Sequence, residues 1–360
     1  MKRIRVRTGN AYDVVIGRGL LDDCGRLLSG RLAAEGKPAG ASCRIALISD
    51  SSVLPLYGER VKASLEKAGF PVVSYAFPAG EASKNLDTYA QILRFLAAEH
   101  ISRSDRIAAL GGGVTGDMAG FAAATFLRGI SFLQIPTSLL AMVDSSVGGK
   151  TAVDLPEGKN LVGAFHQPCL VVCDPDVLDS LPEAVFQDGS AEVIKYGMLG
   201  SEAFFRELEE TPIRDQAENV IETCVSMKRD VVEADEFDTG ERRKLNLGHS
   251  FGHAIEKCSD FGISHGLAVA AGMALITRAA VRKGFCEPQA LPRLLSLLEQ
   301  YGLPTGTDFS AARLAGAALS DKKFAGGRLH LIVPEGVGRC RILPVPAEEL
   351  TDWLNAGGVL

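Results

Sequence analysis

In the first half of the chain, short apolar runs alternate with longer amphipathic stretches. Residues 3–7 and 12–16 alternate charged and apolar positions about Gly9-Asn10, which predicts an opening hairpin. Residues 44–49 form a candidate buried strand ending at Asp50, 56–68 a helix, 72–77 a strand and 85–99 a second helix. Residues 106–110 and 130–135 are two more short apolar runs, bounded by glycine and proline. This rhythm predicts an α/β domain built on a parallel sheet with helices on both faces. Beyond Pro182 the period lengthens: residues 190–199, 213–232, 243–259, 265–284 and 290–301 read as amphipathic helices, and only 329–333 and 339–343 as later strands. A boundary is therefore expected near Leu181-Pro182. It separates an α/β domain, 1–181, from a mainly α-helical one, 182–360, with no low-complexity linker and no internal repeat.

Composition narrows the class. The chain has 360 residues, 46% of them hydrophobic and 23% charged, in the range of a soluble globular protein of about two domains. A formal charge of -6 lacks the dominant basic face that nucleic acid or an anionic membrane would require, so any bound anion must be gripped locally. The N-terminal residues alternate charge with apolar side chains and show no secretory signal, and no apolar run is long enough to span a bilayer. The eight cysteines are scattered without zinc-finger spacing and are expected to be reduced thiols of a cytoplasmic protein. Cys169 and Cys173, which flank a Leu-Val-Val run, are expected to be buried apolar residues.

Three segments carry candidate chemistry. Gly111-Gly112-Gly113-Val114-Thr115-Gly116-Asp117 follows a predicted strand, where glycines let backbone amides approach a phosphate at a helix start. The dinucleotide spelling is incomplete, because no acidic residue lies about 20 positions downstream on a second strand; Asp50 is the better candidate for a ribose contact. A tight structural turn is the alternative. Next, Asp144 to Thr151 and Gly158-Lys159-Asn160 set two lysines among glycines and hydroxyls, where they could meet phosphate oxygens or simply face solvent. A Walker loop is excluded, since its first glycine would fall at Asp144.

The third segment is spread through the helical half. Glu192 and Lys195 lie three apart in a stretch apolar enough to be buried, so both charges need partners there. Lys228, Asp238, Arg242, Asn246 and three histidines follow. His249, His253 and His265 are half of all the histidines, and two imidazoles with one carboxylate and an open position suit a catalytic zinc ion. Positions four apart share a helical face, so spacing alone would pair His249 with His253.

Taken together, Gly111 to Arg128, Val143 to Lys159, the AEVIKYG segment from Ala191 and the LNLGHSFGHAIE segment from Leu245 make the chain resemble the 3-dehydroquinate synthase family of sugar-phosphate cyclases. The likeness runs from about Asp50 to Gly338. It implies a Rossmann-like NAD-binding domain and a helical domain binding metal and substrate. It also implies a divalent ion, zinc or cobalt, held by Glu192, His249 and His265, with His253 handling protons instead. The implied reaction converts 3-deoxy-D-arabino-heptulosonate 7-phosphate to 3-dehydroquinate and phosphate. Transient oxidation by NAD is followed by phosphate elimination, reduction and intramolecular aldol closure, a lyase step of the shikimate pathway to aromatic amino acids.

By the same resemblance Asp144, Lys150, Asn160, Lys195, Lys228, Asp238, Arg242, Asn246 and one of Lys322 or Lys323 contact the substrate. Arg128 reaches a phosphate across a homodimer interface. NAD contacts are implied for Asp50, Glu81, Lys84, Gly113, Val114, Thr115, Gly116, Asp117, Thr137, Ser138, Lys150, Lys159 and the turn Val177, Leu178, Asp179, Ser180. Three positions depart from the usual pattern: Ser138 for threonine, Asp238 for glutamate, and Leu267 where a glutamate often follows the His-Gly pair. Loss of that last carboxylate bears on how the neighbouring metal ligand is oriented. The alternatives are another cyclase, such as a 2-deoxy-scyllo-inosose synthase, an NAD-linked polyol dehydrogenase, or a binding protein without chemistry. Arg242, Asn246 and the Asp321-Lys322-Lys323 triplet favour a substrate that carries a carboxylate.

Overall fold

The computed structural model describes residues 1–37, 40–319 and 328–359. The chain forms two compact units, the first comprising Met1–Leu181 with Cys224–Phe237, the second Pro182–Thr223 with residues from Asp238 onward.

In the first unit, β1 (Lys2–Val6), β2 (Tyr12–Ile16), β3 (Ile45–Asp50), β4 (Val72–Phe77), β5 (Arg106–Gly111), β6 (Ser131–Pro136) and β9 (Leu170–Cys173) form one sheet. Its order is β1-β2-β9-β6-β5-β3-β4. Only the β1–β2 pairing is antiparallel; the rest are parallel. Every residue of β3 and β5 is buried, as expected for strands covered on both faces, which is why they read as unbroken apolar runs. Helices α1 (Cys24–Ala34), α2 (Leu54–Lys67), α3 (Leu86–Ala98) and α4 (Gly113–Thr125) connect them. Asn85 starts α3 by accepting the Thr88 N–H at 2.9 Å. Ile92 and Leu96 of α3, Met118 of α4, and Ile48, Ile107 and Phe132 of the sheet belong to one core.

Two differences from the sequence reading matter here. The Lys150-Thr151 and Gly158-Lys159-Asn160 segments, to which the sequence reading assigns no regular element, form a separate antiparallel hairpin, β7 (Lys150–Leu155) with β8 (Gly158–Phe165). The segment Cys224–Phe237, which includes the last part of α7 (Ala217–Ala234), groups with the first unit, so a single cut near Leu181 does not describe the division. The physical reason is polar: Glu233 accepts the Arg7 backbone N–H at 2.7 Å, and Glu236 accepts those of Gly9 and the Gln167 side chain, both at 3.0 Å.

The second unit is mainly helical: α5 (Glu183–Gly200), α6 (Glu202–Glu210), α8 (His249–Cys258), α9 (His265–Arg282), α10 (Ala290–Gln300), α11 (Ala311–Leu319) and α12 (Leu350–Ala356). Strands β10 (Arg328–Gly336) and β11 (Arg339–Pro346) add a hairpin. The single helix expected over 243–259 is broken: a 3-10 turn, Glu241–Asn246, ends before Gly248, which sits at φ 77 and leads into α8. Glycine is required there both for the left-handed backbone and because a Cβ would lie 2.7 Å from the Val269 carbonyl of α9. None of the described helices is long and apolar enough to cross a membrane. All eight cysteines are free thiols, and six of them are buried.

Candidate active site

Helix α5 carries Glu192 and Lys195 one turn apart, each 1% exposed, and they answer each other's charge: Lys195 Nζ pairs with Glu192 Oε2. The other carboxylate oxygen, Oε1, faces two imidazoles. His249 opens α8; its Nδ1 lies 3.0 Å from the Leu247 carbonyl, so that nitrogen carries the proton and Nε2, 3.5 Å from Oε1, holds the lone pair. His265 opens α9, and its Nε2 lies 3.3 Å from the same oxygen. One turn before Glu192, Asp188 Oδ1 accepts the N–H of Gly266 at 2.6 Å, that of Leu267 at 3.3 Å and the Ser264 hydroxyl at 2.6 Å. Helix α5 thus supplies a carboxylate and also ties down the start of the helix that bears His265.

These donors suit a divalent ion. The Glu192, His249 and His265 ligand atoms lie within 4.8 Å of one another. A tetrahedral ion with bonds of about 2.05 Å would separate its donors by roughly 3.4 Å, close to the 3.3 and 3.5 Å observed. The field in the pocket favours positive charge at one corner and a free lone pair at another. Burial opposes a charge on His265, yet Glu192 and Glu256 outweigh that and hold its pKa up at about 10; the two carboxylates thus call for positive charge at this ring, which a bound ion would supply in exchange for the proton on Nε2. Burial pushes His249 well below its ordinary value, which keeps it neutral as a ligand must be.

The remaining candidates of this unit lie in the same stretch of chain. His253, one turn after His249 on α8, has its ring centroid 5.5 Å from that of His249 and 6.1 Å from that of His265. Glu256, 2% exposed, places Oε2 3.4 Å from His265 Nδ1. It was not singled out from sequence, although it lies three residues after His253 on the same helical face. Its carboxylate answers the loss suggested by Leu267, since a carboxylate still faces the ring nitrogen turned away from Glu192. Arg242 is buried in the 3-10 turn, Asn246 donates to the Arg243 carbonyl at 3.0 Å, and Asp238 takes a left-handed backbone with φ 58. Asp321, Lys322 and Lys323 lie outside the described residues.

In the first unit the glycine-rich turn runs from the end of β5 into α4. The first backbone N–H groups of α4 have no side-chain cap at its glycine-lined start, Gly112. Asp50, expected to contact a ribose, already has work within the fold: its carboxylate accepts the N–H groups of Ser52 and Val53 at 2.9 and 3.0 Å and the Thr115 hydroxyl at 3.2 Å. Thr137 N–H bonds the Gly111 carbonyl at 2.9 Å, and Ser138 accepts the Ala141 N–H at 3.3 Å. Val177 and Leu178 are buried in a 3-10 turn, Pro175–Ser180, and Tyr57 bonds the Val177 carbonyl at 3.3 Å. Asp179 and Ser180 are exposed.

Lys84 stands at the centre of a second cluster. Its Nζ lies 2.6 Å from Asp117 Oδ2 and donates to Asn160 Oδ1 at 2.6 Å, while Lys159 approaches Glu81 at 3.7 Å. Burial alone would lower the Lys84 pKa, but Asp117 and Glu81 raise it; Asp117 itself is pushed up by burial against the pull of Lys84. We read the pair as ionised, because a 2.6 Å contact marks a charge-assisted bond. Lys84→Met would strand the Asp117 carboxylate, and urea denaturation should show a loss of roughly 3–5 kcal/mol. Unchanged stability would exclude a structural role for the pair. Lys228 contacts both the carboxylate of Asp144 (2.8 Å) and its carbonyl (2.5 Å). Lys150 is exposed at the start of β7, and Arg128 is exposed with Leu127 and Gly129 beside it, all three at positive φ.

Comparison with known proteins identifies the family. A family model described as 3-dehydroquinate synthase N-terminal matches residues 74–188, and one described as 3-dehydroquinate synthase C-terminal matches 189–324. The chain is 44% identical over 349 residues to a 3-dehydroquinate synthase of Pelobacter propionicus, covering 95% of each. Among solved structures it is similar to a 2-deoxy-scyllo-inosose synthase complexed with carbaglucose-6-phosphate, NAD+ and Co2+ (TM-score 0.85, 25% identity, all of both chains). It is similar as well to a 2-epi-5-epi-valiolone synthase of Streptomyces hygroscopicus with NAD+ and Zn2+ bound (TM-score 0.85, 26% identity, 99% of each chain).

Proposed function

The chain belongs to the 3-dehydroquinate synthase family, and from that membership we propose that it converts 3-deoxy-D-arabino-heptulosonate 7-phosphate to 3-dehydroquinate with loss of inorganic phosphate. The observation that carries this reading is the convergence of Glu192, His249 and His265 on one point beside the buried Lys195. The alternative of a 2-deoxy-scyllo-inosose synthase has weaker support, because that likeness is 25% identity against 44% for the named relative.

When bound, NAD supplies a reversible two-electron oxidant and a divalent ion, zinc or cobalt, supplies Lewis acidity. Glu192, His249 and His265 would hold the ion. The residues that would hold the cofactor are Asp50, Glu81, Lys84, Gly113 to Asp117, Thr137, Ser138, Lys150, Lys159 and the turn Val177 to Ser180, with pyrophosphate at the open start of α4. Asp50 then acts partly by fixing Thr115. Lys150, Lys195, Lys228 and Arg242 supply the positive charge that a substrate with both carboxylate and phosphate needs, and Asp144 sets the Lys228 ammonium in place. Asn160, Asp238 and Asn246 orient hydroxyls. His253, on the turn after His249, carries protons to and from the substrate.

The same reading makes Arg128 a phosphate contact for a second copy of the chain, so the protein is a homodimeric, cytoplasmic biosynthetic lyase. The test is phosphate release from the heptulosonate phosphate, with product identified, before and after removal of metal by a chelator. Activity should vanish on chelation and return with Zn2+ or Co2+. A product other than 3-dehydroquinate, or NADH accumulating with turnover as a polyol dehydrogenase would give, overturns the proposal.

A further inference from the structure

We propose that His253, Glu256 and the Nδ1 side of His265 form a second divalent-cation site, and that filling it with excess Zn2+ inhibits the enzyme. This rests on the reading of Glu192, His249 and His265 as the first site, because both sites use the His265 ring. Among the described residues, these two triads each bring three ligand atoms within 4.8 Å of one another. The two faces of one imidazole thus look into two donor sets.

The outer set is spaced as a ligand shell would be, with one long hydrogen bond inside it. Glu256 Oε2 and His265 Nδ1 are 3.4 Å apart, whereas a charge-assisted N–H···O contact settles at about 2.7–2.9 Å. A separation of roughly 3.4 Å is the donor spacing around a tetrahedral ion with bonds of about 2.05 Å. Glu256 is 2% exposed, so its carboxylate is held in place by packing. His253 and His265 are only half-buried, which leaves a way in. Two imidazoles and one carboxylate select zinc or cobalt over magnesium or calcium.

Inhibition follows from what the second ion takes. It occupies the lone pair of His253, the group proposed to carry protons. It also displaces the proton from His265 Nδ1 to solvent, leaving the ring as a bridge between two ions. Repulsion between the ions makes the second one bind more weakly than the first, by roughly 100-fold or more.

Chelator-stripped protein is titrated with Zn2+ in equilibrium dialysis, with metal content and phosphate-release rate measured at each concentration. Wild-type protein should take one tight and one weaker ion per chain, with the rate rising on the first and falling at least tenfold on the second. In Glu256→Gln the second ion and the inhibition should both move to at least tenfold higher zinc, with thermal unfolding confirming the fold. His249→Ala, which keeps the outer triad, should bind a single weak ion. A wild-type chain that binds one ion at every concentration overturns the proposal alone; so does a second ion retained at equal strength in Glu256→Gln, which would place it elsewhere. Failure to bind even the first ion would instead sink the inner-site reading.

Discussion

His249→Ala is expected to emerge from dialysis against a weak chelator without the ion that wild-type protein retains, and to lose roughly a thousandfold or more in kcat/KM, the scale of a Lewis acid worth several kcal/mol. His253→Ala is expected to keep that ion and still lose about 10²- to 10⁴-fold, the range of a missing proton carrier. The contrast arises from position rather than residue type. His249 is 8% exposed, has its Nδ1 committed to the Leu247 carbonyl and directs Nε2 at Glu192. His253 sits one turn further along α8, outside that inner triad. Both substitutions introduce the best helix former, so neither loss can be assigned to unwinding of α8. Metal analysis by emission spectroscopy, run beside the kinetics, decides the matter. If His249→Ala retains the tight ion while His253→Ala loses it, the assignment of ligand and proton carrier is reversed.

Sequence pattern reached some of this and missed the rest for identifiable reasons. The sheet was legible because β3 and β5 are buried throughout, so their apolar runs could not be mistaken for amphipathic surface. The β7–β8 hairpin was not, because its glycines and lysines look like a loop when the partner strand is unknown. Helix α6 is absent from the helices that periodicity predicts, although Ser201, whose side chain accepts the Phe204 N–H at 3.1 Å, announces its start. In the site, local periodicity places His249, His253 and Glu256 on one helix but cannot distinguish their roles. Glu192 comes from a helix far away in sequence, signalled only by a buried charge in an apolar stretch. Family resemblance pointed to the Glu192, His249 and His265 set, and the geometry brings those atoms together. What no local pattern could reveal is that Asp188 and Glu192, one turn apart on α5, serve both the start of α9 and the first imidazole on it.

Gly272→Ala should unfold the second unit or weaken it by roughly 2–3 kcal/mol or more, although alanine would ordinarily gain about 1 kcal/mol over glycine inside a helix. The reason is the crossing of α8 and α9. A Cβ at Gly272 would lie 2.1 Å from the Gly248 carbonyl oxygen and 2.9 Å from the Gly252 nitrogen; both are backbone atoms and cannot swing away. On the other helix, Gly252 would place a Cβ 3.1 Å from the Ala268 carbonyl. Glycines on both sides therefore let the two backbones touch, and that contact holds the His249 and His265 ring centroids 5.2 Å apart. Separating the helices to admit one methyl group moves those rings apart, so any folded Gly272→Ala protein should also bind its tight ion more weakly. Gly316→Ala supplies the control: on α11 a Cβ there meets nothing within 4 Å, and the substitution should stabilise by up to about 1 kcal/mol. Equal and small effects at the two positions, with tight metal binding kept in both, would show that close helix approach does not set the site.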